Sequence, residues 1–276
     1  MSDFSKHAAR RFGQNLSFDD DLDEEGLLER AIGRASCRAF LTETVPDLLI
    51  EALCAVALSS PSKSDLQQRD IIIVEEQELR ESLKPLLGGS DWAVEAPVFL
   101  VFCGNNKRQR QLHEMHDIPF GNDHFDPLFN AIGDAAIALS AFVTSAEMVG
   151  LGTCPVSQIR NHSAEVSEIL CLPEFVFPFA GLAVGWPKTE ECEISPRLSL
   201  KTTVHRNRFD DSQILDQVEE YDQRRRAIQT YEKQRHSNLF GESNTYCWSE
   251  EKARHYSQGE RTDFGAFLKK KGFKLI

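Results

Sequence analysis

The chain has 276 residues, 41% of them hydrophobic and 27% charged, with 31 lysines and arginines against 43 aspartates and glutamates for a formal net charge of −12. That length supports a substantial core, and the composition excludes disordered, collagen-like and disulfide-framework classes. The acid excess excludes a broad basic face of the kind that general nucleic-acid binding needs, so local arginine clusters carry more information here.

Seven cysteines, at positions 37, 54, 103, 154, 171, 192 and 247, include no Cys-x-x-Cys pair, and an odd number cannot all pair within one chain. A reducing compartment suits them. Met1 to Asp20 contains no apolar signal core, which points to the cytoplasm. Residues 1–24 are polar and end in an acidic run, and are expected as a flexible arm.

A first helix is expected over about Asp23 to Ile32, then a second starting at Pro46-Asp47, whose Leu48, Leu49, Ala52, Leu53, Ala55, Val56 and Leu58 form an apolar face. A hydroxyl-rich loop, Ser59 to Asp65, separates it from the strand Asp70 to Val74. Glu75 to Leu87 reads as helix closed by Gly88-Gly89, and Pro97 to Cys103 as a central strand. The stretch from Asn105 to about residue 130 loses periodicity and collects His113, His116, His124 and several carboxylates. Without a His-Glu-x-x-His or a cysteine it is not read as a metal site, and an exposed flap over a pocket is expected instead.

Phe129 to Val149 is apolar almost all round and rich in alanine. Asp134 and Glu147 within it make a membrane span costly, so a helix buried inside the protein or between subunits is expected. Gly150-Leu-Gly-Thr follows, where glycines would let a flat ligand approach the backbone. A short helix over Ser163 to Leu170, a strand over Phe175 to Trp186, and charged helices over Gln217 to Arg235 and Ser249 to Phe273 complete the chain.

Chemistry concentrates at Arg34, Ser36 and Arg38, which alternate and so share a side of an extended segment. Two guanidinium forks around a hydroxyl suit an oxyanion such as a phosphate, although ordinary surface ion pairs use the same residues. The serine loop before the first strand offers donors to a polar ligand, or simply caps a turn.

Taken together, four ordered pieces resemble the nitroreductase family of FMN enzymes: Arg34-x-Ser36-x-Arg38-x-Phe40, Pro61-Ser62-x-x-Asp65-x-Gln67, Gly150-Leu-Gly-Thr153, and Gly185-Trp-Pro187 followed by Pro196-Arg197-Leu198. Val204-His205-x-Asn207 and Trp248-Ser249-Glu250 resemble more specifically the NADPH-dependent, oxygen-insensitive nitroreductase and flavin reductase subgroup. The resemblance implies an α+β fold, a three-layer α/β/α sandwich over residues 25–276 as a single domain, assembled as an intertwined homodimer with the alanine-rich helix at the interface. It implies bound FMN, its phosphate held by Arg34, Ser36 and Arg197, with Arg38 toward the ribityl chain or the N1/O2 edge. Ser62, Ser64, Asp65 and Gln67 would meet ribityl hydroxyls and the pyrimidine ring. Backbone around Pro155, Val156 and Ser157 would face O4 and N5, the proline itself lacking a donor. NADH or NADPH would reduce the flavin at N5 and an oxidised small molecule would reoxidise it, in ping-pong order, with no protein acid, base or nucleophile required.

The sequence departs from the family pattern in places. Asp65 stands where asparagine is common, Gln68 replaces a proline, and Ser195 occupies a slot that tends to hold lysine. Arg235, closing Tyr231-x-x-x-Arg235, matches the position that contacts the NADPH 2′-phosphate, but the loop after it is longer and adds no further arginine. These departures leave a second reading open, a non-catalytic FMN-binding sensor or flavin carrier on the same fold.

Overall fold

The computed structural model describes residues 3–16, 23, 25–189 and 193–276. In chain order the helices and strands are α1 (Asp3–Phe12), α2 (Leu27–Gly33), α3 (Asp47–Leu58), β1 (Arg69–Ile73), α4 (Gln77–Leu83), β2 (Val98–Asn105), α5 (Lys107–Met115), α6 (Asp126–Met148), β3 (Gly152–Val156), α7 (Ser163–Ile169), β4 (Val176–Gly185), α8 (Leu200–Thr203), α9 (Ile214–Ile228), α10 (Ser237–Phe240), α11 (Trp248–Tyr256) and α12 (Phe264–Lys270). The mixture of helix and sheet is the α+β class expected from the sequence. The chain divides into two compact units, one of residues 1–35 and 193–260, the other of residues 36–192 and 261–276.

The larger unit is built on a four-stranded sheet in the order β1-β2-β4-β3, every neighbouring pair antiparallel. Strand β2 is buried from end to end, which is why its sequence is an unbroken apolar run rather than an alternating one. Its side chains alternate between two cores. Val98, Leu100 and Phe102 join Ile50, Leu53, Ala138, Phe142 and Ala146 from α3 and α6. Phe99, Val101 and Cys103 join Leu83, Leu87, Ile159 and Val166. Burying each such large side chain contributes roughly 1.5–3 kcal/mol. A third cluster packs α12 and the C-terminal Phe273 on Leu128, Ala131 and Phe177.

Helix α6 is the one described helix long and apolar enough to cross a bilayer by length and composition. Its inner face is nevertheless core, with Ala131, Ala135, Ala138, Phe142 and Ala146 fully buried. Asp134, 2% exposed, explains why an acid sits in that face. Its Oδ1 accepts the Lys63 N–H at 3.1 Å and its Oδ2 the Gln68 N–H at 2.8 Å. It also pairs with buried Arg69 at 3.8 Å, and the Arg69 Nη2 donates to the carbonyls of Leu58 and Ser60 at 2.7 and 3.0 Å. One carboxylate thus grips both ends of the loop between α3 and β1.

Two expectations change. Residues Asp3–Phe12 of the expected arm are a helix, and its Arg11 is only 6% exposed; the acidic run Asp19-Asp20-Asp21 lies outside the described residues. The expected flap is half helix, because Lys107–Met115 is composed of good helix formers even though it carries no apolar stripe. The glycines at the start of β3 have roles in the fold. Gly150 turns the chain at φ +87°, and a Cβ on Gly152 would lie 2.7 Å from the Cys37 Sγ. The strand β3 that follows was hidden by those glycines and by Pro155 at an edge position.

Replacing Asp134 with alanine strands the buried Arg69 guanidinium without a counter-charge. The expected loss is about 3–5 kcal/mol of unfolding free energy, read from urea denaturation. A loss under about 1 kcal/mol would show that the pair carries no such constraint.

Candidate functional site

Within the smaller unit, the last turn of α1 carries Arg11, whose buried guanidinium donates to three carbonyls from two distant segments. Its Nε bonds the Ile32 oxygen at 2.9 Å, its Nη2 the Arg34 oxygen at 2.5 Å, and its Nη1 the Ser195 oxygen at 3.4 Å. In return the Arg11 carbonyl accepts the Arg197 N–H at 2.6 Å. Arg224 on α9 adds a second tie, donating to the carbonyls of Arg11, at 3.1 Å, and of Arg197. Residues 34 and 197, which are 163 positions apart, are thereby brought to one cavity.

That cavity has a volume of about 800 Å³. Arg11, Arg34, Arg197, Arg225 and Lys252 line it together with Phe12, Tyr221, Tyr231 and Trp248, and among the described residues no carboxylate does. In a chain of net charge −12, a wall of cations without an acid is an anion site, and its aromatic rings suit a planar group attached to that anion. Tyr221 is fixed by donating to the Pro196 oxygen at 3.1 Å and by an edge contact with Trp248 at 5.0 Å. Asp222 beside it accepts the Ser249 N–H at 3.0 Å and the Ser249 hydroxyl, anchoring the start of α11.

Arg235 does not line this cavity. Its Nε contacts both Glu251 carboxylate oxygens at 3.2 Å, while its backbone N–H donates to the Tyr246 hydroxyl at 2.9 Å. Burial would raise the Glu251 carboxyl, but hydrogen bonds from Tyr246 and Arg235, with Lys252 nearby, hold it below the ordinary 4.5.

In the larger unit, Ser36 bridges Thr153 on β3, and the Arg38 guanidinium lies 5.9 Å from the Trp92 ring, lining a cavity of about 350 Å³ with Phe40 and Glu95. Arg38 and Arg34 therefore open onto different cavities. The hydroxyl-rich loop is unusual in its backbone. Ser64, Asp65 and Gln67 have φ of +50°, +55° and +52°, a left-handed conformation that costs side-chain-bearing residues free energy and collects at functional positions. Internal bonds sustain it, the Gln67 N–H donating to the Ser62 Oγ at 3.2 Å and the Gln67 Nε2 to Asp65 at 3.1 Å. From outside, α5 holds it: Arg108 Nη1 donates to the Gln67 carbonyl at 2.6 Å and Gln109 Nε2 to the Leu66 carbonyl at 2.7 Å. Pro155 and Val156 end strand β3, and Ser157 opens a single turn whose Oγ accepts from Arg261 at 3.4 Å.

Sequence reasoning missed Arg11, Arg69, Arg108, Gln109 and Lys252. Each acts on a carbonyl, a carboxylate or a cavity far off in sequence, and no spacing rule reports that. Arg34, Arg197, Tyr231 and Trp248 lay within motifs already singled out.

Residues 31–186 match the profile of the Nitroreductase family, and residues 195–276 that of the Nitroreductase family, C-terminal domain. The chain belongs to the nitroreductase family. It is 30% identical over 244 residues to the FMN reductase [NAD(P)H] of Bacillus subtilis, covering 87% of this chain and 94% of that protein. It is 35% identical over 195 residues to the oxygen-insensitive NADPH nitroreductase of Salmonella typhimurium, covering 70% of this chain and 79% of that protein. Among solved structures, NfrA2 of B. megaterium superposes with a TM-score of 0.81 at 30% identity, covering 91% of this chain and 98% of that one.

Because the Glu251 carboxyl sits below its ordinary 4.5, the stability it contributes is complete above that value and is lost as pH falls through its lowered one. As pH falls below about 4.5 the melting temperature should therefore fall more steeply for the wild type than for Glu251→Gln. Parallel curves from differential scanning fluorimetry would contradict the assignment.

Proposed function

We propose that this protein is an FMN-dependent NAD(P)H oxidoreductase that passes reducing equivalents from NADPH or NADH to an oxidised small molecule such as a nitroaromatic, a quinone or a free flavin. The observation that carries the reading is the cationic cavity in which Arg34 and Arg197 meet, in a chain whose relatives are named as FMN reductases and NADPH nitroreductases. The donor set fits a phosphorylated aromatic cofactor: guanidinium groups for the phosphate, and hydroxyl, amide and backbone donors for the rest. FMN, when bound, supplies the chemistry, accepting hydride at N5 from the reduced nicotinamide and yielding it to the acceptor in ping-pong order.

The chain's own residues bind, orient and tune. Arg34, Ser36 and Arg197 hold the phosphate, and Ser195 beside them leaves the charge balance to the arginines. Arg38, Ser62, Ser64, Asp65 and Gln67 serve the ribityl chain and the pyrimidine ring. Backbone at Pro155, Val156 and Ser157 serves the O4/N5 edge, with Val156 and Ser157 as donors. Arg235 is assigned to the nicotinamide donor, its Nε held by Glu251. The loop of residues 62–67 is fixed before any ligand arrives, so little ordering entropy is lost on binding.

A homodimer with a three-layer α/β/α core completes the reading. Helix-bearing cores on both faces of β2 support the layers. Support for the dimer comes from the outer face of α6, where Phe129 and Ile137 are 63% and 42% exposed beside Gly133 and Ala136. Thiols without a disulfide at Cys54, Cys103, Cys171 and Cys247 support a reducing, cytoplasmic setting. The sensor or carrier alternative is not favoured, since the curated relatives that cover most of the chain are named as reductases.

Purified protein should be yellow, and under anaerobic conditions NADPH or NADH should bleach its visible absorbance within the turnover time. A yellow protein that neither donor bleaches would contradict the reductase reading.

Asp65→Asn gives a finer test, because asparagine tolerates the same left-handed backbone and still accepts from Gln67. Removing a carboxylate beside the N1/O2 edge should raise the flavin midpoint potential in a dye-coupled titration. An unchanged or lower potential would place Asp65 elsewhere.

A further inference from the structure

Helix α5 has no core to sit on. None of its residues is buried, it carries no apolar stripe, and a helix of nine residues is marginal in water by itself. Polar side chains must therefore set its place. On one side Arg108 and Gln109 reach the carbonyls of Gln67 and Leu66, and the Arg108 Nη2 also meets the Asp70 Oδ1 on β1 at 2.5 Å. Side chains two residues apart on a helix point about 200° apart, so Arg110 leaves α5 from the opposite side.

There Arg110 enters a clasp built from the loop after α5 and the C-terminal residues. Its guanidinium lies between two rings, 3.7 Å from the Phe175 centroid and 4.4 Å from that of Phe120, and its Nη2 donates to the Asp123 Oδ1 at 2.7 Å. The other Asp123 oxygen takes the Lys274 ammonium at 2.6 Å. Phe175 is fixed in turn. Its N–H donates to the Lys271 carbonyl at 2.8 Å, its ring meets Phe273 edge-on at 5.7 Å, and a Cβ on Gly272 would lie 2.5 Å from its Cε1. The Phe125 N–H closes the clasp on the Ile276 oxygen at 3.1 Å. With its side chain only 17% exposed, Arg110 is held by two ring faces and a carboxylate, more firmly than an exposed ion pair holds its partners. Hydrogen bonds from Lys274 and Arg110 keep the Asp123 carboxyl below its ordinary 3.8, and the network stays charged at neutral pH.

We infer that Arg110 is a positioning residue for the flavin: clasped by Phe120, Asp123, Phe175 and Lys274, it fixes α5, through which Arg108 and Gln109 hold residues 64–67 in their left-handed geometry. The inference rests on the FMN reading above for what that loop meets, and on the contacts of Arg110 for how the loop is held. Residues 271–276 thereby act on the ribityl and pyrimidine contacts without touching them.

The test follows hydrogen–deuterium exchange at the backbone amides of residues 65–68 in the full chain, together with affinity for FMN and riboflavin. In Arg110→Met exchange there should rise roughly tenfold while the amides of β2 and β4 keep their rates. Lys274→Met, a change at an exposed side chain, should raise it by a smaller factor, and Lys274→Arg should leave it as in the wild type. The loop serves the ribityl chain and the ring, so FMN and riboflavin should both weaken roughly tenfold in Arg110→Met and keep their ratio. Unchanged exchange at residues 65–68 in folded Arg110→Met would overturn the inference. So would a rise shared equally by the strands, which marks general destabilisation, or a loss confined to FMN. A wild type that takes up neither flavin contradicts the FMN reading, whereas the exchange rates still decide whether Arg110 fixes the loop.

Discussion

Arg11 is the residue on which the anion site depends. A guanidinium at 6% exposure must find acceptors or cost several kcal/mol, and it finds them in the carbonyls of Ile32, Arg34 and Ser195. Satisfying that one buried charge draws together two segments that the chain keeps far apart, and with them the side chains of Arg34 and Arg197. Like charges do not gather unaided, so α1 and the Arg224 tie supply the scaffold that holds them side by side for an anion to neutralise.

The larger unit solves a matching problem with the opposite sign. There a buried carboxylate, Asp134, collects the backbone N–H groups of Lys63 and Gln68 and balances Arg69. Between those two anchor points the chain sustains three left-handed side-chain-bearing residues, with Arg108 and Gln109 bracing the Gln67 and Leu66 carbonyls from α5. In both units a single buried ionic group does for a loop what regular hydrogen bonding does for a helix. Both loops contain residues proposed to meet the cofactor, which is where strained backbone fixed in advance is most useful.

The sequence was most legible where periodicity is strong. The apolar face of α3, the unbroken run of β2 and the alanine-rich α6 emerged within a few residues of their expected ends, because local pattern and burial agree there. The Arg34-Ser36-Arg38 and Ser62-to-Gln67 motifs were visible as chemistry because residue type and order carry them. What stayed hidden depends on distance. Nothing adjacent to Arg11 announces that it is buried, and Lys107–Met115 has no apolar stripe to mark it as a helix. The packing of Cys37 on Gly152 at the start of β3 was hidden too, since the two residues are far apart in sequence. Arg34 and Arg38 share a parity in sequence and line separate cavities.

The central claim is that buried Arg11 assembles a phosphate anchor from Arg34 and Arg197. It is tested most directly by comparing FMN with riboflavin, which differ by the phosphate alone, through quenching of flavin fluorescence in the wild type and in Arg11→Met. The account predicts that FMN binds the wild type roughly a hundredfold more tightly than riboflavin and that the gap closes in the variant while riboflavin affinity holds. Equal affinity for the two flavins, or an undiminished gap in a folded Arg11→Met protein, would contradict it.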